Sequence, residues 1–192
     1  MLTRRLAAAL LAAVTAGTAL AGCTSGSEES RCAADGLTVT CAPDQRSTTP
    51  KVSGELLTGG SYDIARDRGQ VVVVNFWGSW CAPCRAEADD LEGTYQATKG
   101  DGVTFLGINV QDSKDKATAF EESYGVTYPS LFDPSSRQAL NFDIPPNSTP
   151  ATVVLDRDGR VAVVIRRAVT QDELRPIVAK IAAEKPAPNG SR

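Results

Sequence analysis

The chain has no histidine among its 192 residues. It therefore lacks the side chain that titrates nearest neutrality and that most often ligates metals, which argues against histidine-based acid–base catalysis and against a metal enzyme. Neither sign of charge is in excess: 20 Lys and Arg face 23 Asp and Glu, a net −3. Without a basic surplus there is no electrostatic case for binding nucleic acid. The longest apolar run, residues 6–20, falls short of the ~20 residues a spanning helix needs. Aromatic residues make up only 6 %, with two tryptophans, and no repeat is visible. The 42 % of hydrophobic residues is ordinary, and the length suits one domain with an appendage.

Against these absences stand five cysteines, at positions 23, 32, 41, 81 and 84. The last two lie in the stretch Val71-Val72-Val73-Val74-Asn75-Phe76-Trp77-Gly78-Ser79-Trp80-Cys81-Ala82-Pro83-Cys84-Arg85-Ala86-Glu87. Its β-branched start predicts a strand buried on both faces. Gly78-Ser79 breaks the strand, and a helix is expected to open near Ala82, with Pro83 in a first turn that has no use for its N–H. Unpaired backbone N–H groups and the positive helix end would favour a thiolate at Cys81. The two-residue spacer lets Cys81 and Cys84 close a disulfide with little backbone movement. Half of a zinc site would need two more ligands, and the only other cysteines lie far upstream. A redox-active dithiol is the reading of this pair, with Cys81 the more exposed nucleophile and Cys84 the resolving thiol.

These residues resemble the extracytoplasmic thioredoxin-like proteins of the TlpA/ResA type, membrane-anchored thiol–disulfide oxidoreductases. The resemblance runs from about Val52 to Lys185. It rests on Val74-Asn75-Phe76-Trp77, on Trp80 to Cys84 with Arg85 and Glu87, on Gly107-Ile108-Asn109-Val110, and on Thr149-Pro150 before a strand. It implies a thioredoxin-like α/β fold: a mixed central sheet with helices on both faces, an N-terminal β-hairpin and a central helix–strand insertion. It also implies a cis bond before Pro150, and a substrate groove at Trp80, Pro83, Thr149 and Pro150. Trp77 and Trp80 are expected to pack and to wall the site rather than to react. For Glu87 two readings stand: a solvated surface acid, or the proton-handling acid that the family carries at this offset from its second cysteine. Asn75 departs from plain thioredoxin, which buries an acid there; an amide takes up no proton.

Arg4 and Arg5 precede the apolar run, and Leu20-Ala21-Gly22-Cys23 closes it. This fits a secretory signal over residues 1–22. The closing residues resemble a bacterial lipobox, which implies lipidation at Cys23 and an anchor on the extracytoplasmic face of the cell membrane. Residues 23–50 are rich in Ser, Gly, Thr, Asp and Glu and are expected to form a flexible tether. Within it, Cys32 and Cys41 are expected to pair as a structural disulfide in that oxidising compartment; a second redox couple is the alternative. The thioredoxin-like domain is set at residues 51–187 and a disordered tail at 188–192.

Further along, the pattern predicts a hairpin over 52–64, a helix from Ala82 to about Lys99, a strand from Val103 to Val110 and a helix from Ser113 to Tyr124. A short strand over 128–131, a short helix over 135–142, and strands at 151–155 and 160–168 follow. Thr170 and Glu173 suggest a capping box for a last helix, which Pro176 should kink or delay.

The function expected is exchange of the Cys81–Cys84 dithiol with cysteine pairs in protein substrates, recharged by a membrane thiol–disulfide donor or acceptor, with no cofactor and no metal. The resemblance implies reduction of apocytochrome c cysteines as the commonest task, and an oxidative-folding role as the next. A peroxiredoxin-like peroxidase would need an activated cysteine after a Pro/Thr-rich loop, and a copper chaperone a longer cysteine spacing with histidine; neither is present.

Overall fold

The computed structural model describes residues 32–46 and 48–185. The expected signal segment, Cys23 and the expected tail lie outside them. In chain order the elements are β1 (Ala33–Asp35), β2 (Thr38–Thr40), β3 (Ser53–Glu55), β4 (Ser61–Asp63), β5 (Val71–Trp77), α1 (Ala82–Thr98), β6 (Val103–Val110), α2 (Lys114–Tyr124), β7 (Ser130–Asp133), β8 (Ala151–Leu155), β9 (Val161–Ile165) and α3 (Gln171–Ala182). Short 3-10 turns cover Ile64–Asp67 and Gln138–Phe142.

Seven strands form one mixed sheet in the order β1-β2-β9-β8-β5-β6-β7. β5, β6 and β7 run parallel, and the other pairs are antiparallel. β5 is buried along its whole length, and its period of two feeds two cores. Val71 and Val73 pack with Leu91 of α1 and with Leu174, Val178 and Ile181 of α3. Val72, Val74 and Phe76 pack on the other face with Val52, Tyr62 and Ile64 near the β3–β4 hairpin and with Ala139 and Phe142 of the second 3-10 turn. Each such side chain withdrawn from water contributes about 1.5–3 kcal/mol, so this uncharged run fixes the centre of the fold. The architecture is the thioredoxin-like one, with α1 and α3 on one face, the β3–β4 hairpin and the 3-10 turns on the other, and α2–β7 inserted after β6.

The tether reading is corrected for residues 32–46. β1 and β2 form a hairpin that extends the main sheet, Val39 pairing with Val164 of β9. Cys32 and Cys41 are disulfide-bonded at its open end. The Arg46 side chain, 6 % exposed, secures it: Nε donates to the Cys41 carbonyl at 3.0 Å, Nη1 donates to Asp156 at 3.2 Å, and Nη1 and Nη2 donate to Glu184 at 2.5 and 2.8 Å. Polar composition there signals an edge hairpin held by one covalent and one ionic staple, with too few residues in each strand to show a period.

The last helix starts on time despite Pro176, which lies inside it. Its expected capping box does not form. Thr170 makes no side-chain cap, Glu173 pairs with Arg167, and the first N–H, on Gln171, donates to Asp90 of α1 at 2.9 Å.

Candidate active site

The backbone leaves β5 at Trp77, turns through Gly78–Trp80 and starts α1 at Ala82, with Cys81 as the N-cap. The Cys84 N–H donates to Cys81 Sγ at 3.2 Å, so the first sulfur takes one of the donors that the helix start leaves free. The two sulfurs are bonded to each other, with their Cα atoms 5.3 Å apart. Both cysteines are buried, Cys81 at 3 % and Cys84 at 2 % exposure, so neither is open to solvent in this disulfide state. The reason is a third apolar cluster that covers the corner: Leu57, Trp77, Ala88, and Ala117 and Phe120 of α2. Trp77 stacks on Phe120 with ring centroids 4.5 Å apart.

Trp80, by contrast, is 50 % exposed, and its Nε1 donates to the Val110 carbonyl at 3.1 Å. The indole lies across Gly78, where an added Cβ would fall 2.4 Å from Nε1. Pro83 is exposed beside it in the first turn of α1. The bond between Thr149 and Pro150 is cis. The pairing of Phe76 with Ala151 brings Pro150 to the sheet end where β5 meets the dithiol corner. Pro150 is buried and Thr149 half-buried.

Asp112, which sequence reasoning overlooked, fixes the loop before Cys81. Its carboxylate accepts from the Ser79 N–H at 2.6 Å, the Ser79 hydroxyl at 2.9 Å, the Asn109 amide at 3.1 Å and the Ser113 N–H at 2.9 Å. Burial alone would raise the Asp112 pKa, but these donors outweigh it and hold the carboxyl below its usual range. Ser113 caps α2 by position only; the side chain doing the accepting belongs to Asp112. The one available signal was an Asp at the end of a strand just before a helix. Arg85 adds a 2.6 Å bond from Nη1 to the Ser79 carbonyl.

Glu87 is 1 % exposed, so it is not a surface acid. One turn beyond Cys84, Oε1 accepts from Asn75 Nδ2 at 2.9 Å and Oε2 from the Val169 N–H at 3.0 Å. Burial pushes this carboxyl up to about 7; the Asn75 and Val169 donors oppose the shift and Asp90 adds to it. Cys32–Cys41 lies elsewhere. Cys41 N–H bonds to Ala162, at the end of β9 that aligns with Leu155 and Val72, the opposite end of the sheet from Trp77. Among the described residues no cluster of three or more Cys, Asp or Glu is placed to hold a metal ion.

A cysteine pair at a helix start, a cis-proline strand beside it and a mixed sheet beneath define a thioredoxin-like thiol–disulfide oxidoreductase. The AhpC/TSA family profile matches residues 44–164, and the chain belongs to that family. It is 30 % identical over 128 residues to the thiol-disulfide oxidoreductase ResA of Geobacillus kaustophilus, covering 67 % of this chain and 72 % of the relative. Among solved structures it is similar to a DsbF homologue of Corynebacterium diphtheriae, with TM-score 0.72, 37 % identity, and 78 % and 98 % of the two chains covered. A secreted thiol-disulfide isomerase from Corynebacterium glutamicum gives TM-score 0.75 and 34 % identity, with 79 % and 96 % covered.

Proposed function

We propose that the protein is anchored through lipid at Cys23 on the extracytoplasmic face of the cell membrane and exchanges its Cys81–Cys84 pair with cysteine pairs of protein clients. The observation that carries the exchange reading is the Cys84 N–H aimed at Cys81 Sγ, at a helix start beside a half-exposed tryptophan. In the reducing direction, Cys81 thiolate attacks a client disulfide. A Cys81–client S–S bond forms, and one client thiolate leaves and takes a proton. Cys84 then loses its proton, attacks Cys81 Sγ and closes the intramolecular bond, releasing the second client thiolate, which takes up a proton in its turn. Two electrons and two protons pass to the client, and a membrane thiol–disulfide partner restores the dithiol.

Glu87 is the acid placed to take the Cys84 proton and to return it, being buried one helical turn away on the same face. Trp80, Pro83, Thr149 and Pro150 form the groove in which an extended client segment lies, with the backbone of Thr149 free to pair with it. Cys32–Cys41 serves as a structural disulfide, a reading supported by its place at the far end of the sheet from the dithiol. A chain anchored at Cys23 thus enters the domain at the end opposite the redox site. The clients are apocytochrome c cysteine pairs awaiting haem, the commonest task of the TlpA/ResA type. The test is the reduction potential of the Cys81–Cys84 couple, together with turnover of an oxidised apocytochrome c peptide. A potential near −270 mV and reduction of the peptide support the reading; a potential near −120 mV without reduction makes the protein an oxidant instead.

A further inference from the structure

Asn75 bonds to the acid and shares a cavity with the second cysteine. It is 2 % exposed, in the middle of a strand of otherwise apolar residues. One side of it reaches the acid: Nδ2 donates to Glu87 Oε1 at 2.9 Å, and also to Thr152 Oγ1 of β8 at 3.2 Å. Asn75 also lines a small cavity together with Cys84, Trp77 and Tyr128. Such a buried amide in a hydrophobic strand is costly unless its hydrogens are used, and both are spent on fixing one rotamer and one carboxylate.

We propose that Asn75 is a positioning residue: it holds the Glu87 carboxylate against the Cys84 side of the site and thereby sets the pH at which Cys84 gains and loses its proton. The inference rests on the proton-handling reading of Glu87. The argument is one of sign. An amide N–H donor binds a carboxylate better than a carboxylic acid, so Asn75 opposes the burial that keeps Glu87 protonated. The Val169 N–H, ahead of α3, acts in the same direction. Thr152 holds the amide rather than the acid. Asp90 of α1 works the other way, as a like charge. Tyr128, buried ahead of β7, is close enough for Glu87 to push its phenol further up, and it stays neutral across the working range. The acid on the helix and the amide on the strand together make a tunable pair, whereas an acid at position 75 would compete with Glu87 for one proton.

The experiment follows the pH dependence of reduction of a soluble disulfide peptide by the reduced full chain, read by the fluorescence of Trp77 and Trp80. In the wild type one inflection belongs to Glu87, and Glu87→Gln removes it. Asn75→Ala moves that inflection up by about one pH unit, a tenfold change in the protonation equilibrium. In the Glu87→Gln background, Asn75→Ala leaves the shape of the profile unchanged. Asn75→Asp preserves side-chain size and carries the test if the alanine variant does not fold; it moves the inflection further up, because two carboxyls then share a proton. An unmoved inflection in both position-75 variants overturns the role of Asn75 while leaving Glu87 in place. An equal shift with and without Glu87 overturns it as well, by showing an effect that does not pass through the acid. Survival of the inflection in Glu87→Gln overturns both readings.

Discussion

Asp112 holds Ser79 through two atoms, accepting the backbone N–H at 2.6 Å and the hydroxyl at 2.9 Å. This joins the end of β6 to the loop that presents Cys81, two residues further on. Asp112→Ala removes both bonds and strands the Ser79 N–H, at a cost of about 1–3 kcal/mol. It should also slow thiol exchange, because the loop is no longer fixed. The lowered pKa gives the sign of the pH effect: the contribution is present above the ordinary Asp pKa and is lost as pH falls through the depressed folded value. Denaturant titrations of wild type and variant should therefore differ at neutral pH and converge in acid.

Glu87 has the opposite sign. Its folded pKa of about 7 lies above the 4.5 of a free carboxyl, so the folded state holds the extra proton between those values. Stability should fall as pH rises through that window, by on the order of 3 kcal/mol, and remain low above it. Glu87→Gln should flatten the dependence. Denaturant unfolding of the oxidised protein at pH 5 and pH 8 checks this; equal slopes in wild type and variant would show that Glu87 does not titrate there.

The central strand and the first helix were legible because local signals agreed. Val71 to Trp77 carries no charge, Gly78 breaks it, and Pro83 suits a helix start. The Cys81–Cys84 spacing identified the chemistry for the same reason. The burial of Glu87 was not legible, since it depends on Asn75 and on a backbone N–H at Val169, 82 residues away. Nor was the hairpin at Ala33–Thr40, whose three-residue strands exist through β9, Arg46 and the Cys32–Cys41 bond. Tertiary partners decide such elements, and composition alone made the segment look like a spacer.

That hairpin gives a separable test. Replacing Cys32 and Cys41 by serine should lower stability by about 2–3 kcal/mol, the loop-closure value for so short a ring. The rate of exchange at Cys81–Cys84 should not change, because the two disulfides lie at opposite ends of the sheet. A large loss of exchange activity in a folded double variant would mean the second pair takes part.

Arg46 is the other fastening of the hairpin. Arg46→Ala leaves Asp156 buried beside Arg160 alone and frees the Cys41 carbonyl, which should cost about 3–5 kcal/mol. Hydrogen exchange should show protection lost first in residues 33–41.

Gly78→Ala tests how the site wall is built. A Cβ there would lie 2.4 Å from the Trp80 indole nitrogen, so the ring must swing off the Val110 carbonyl. Tryptophan emission should shift to the red, and exchange with protein clients should fall more than exchange with small thiols.

The most direct measurement is capture of a client with single-cysteine variants. Cys84→Ser should accumulate a mixed disulfide between Cys81 and an oxidised client protein, while Cys81→Ser should capture nothing and show no turnover. If Cys81→Ser exchanged thiols at the wild-type rate, the assignment of Cys81 as the attacking sulfur, and the account built on it, would be contradicted.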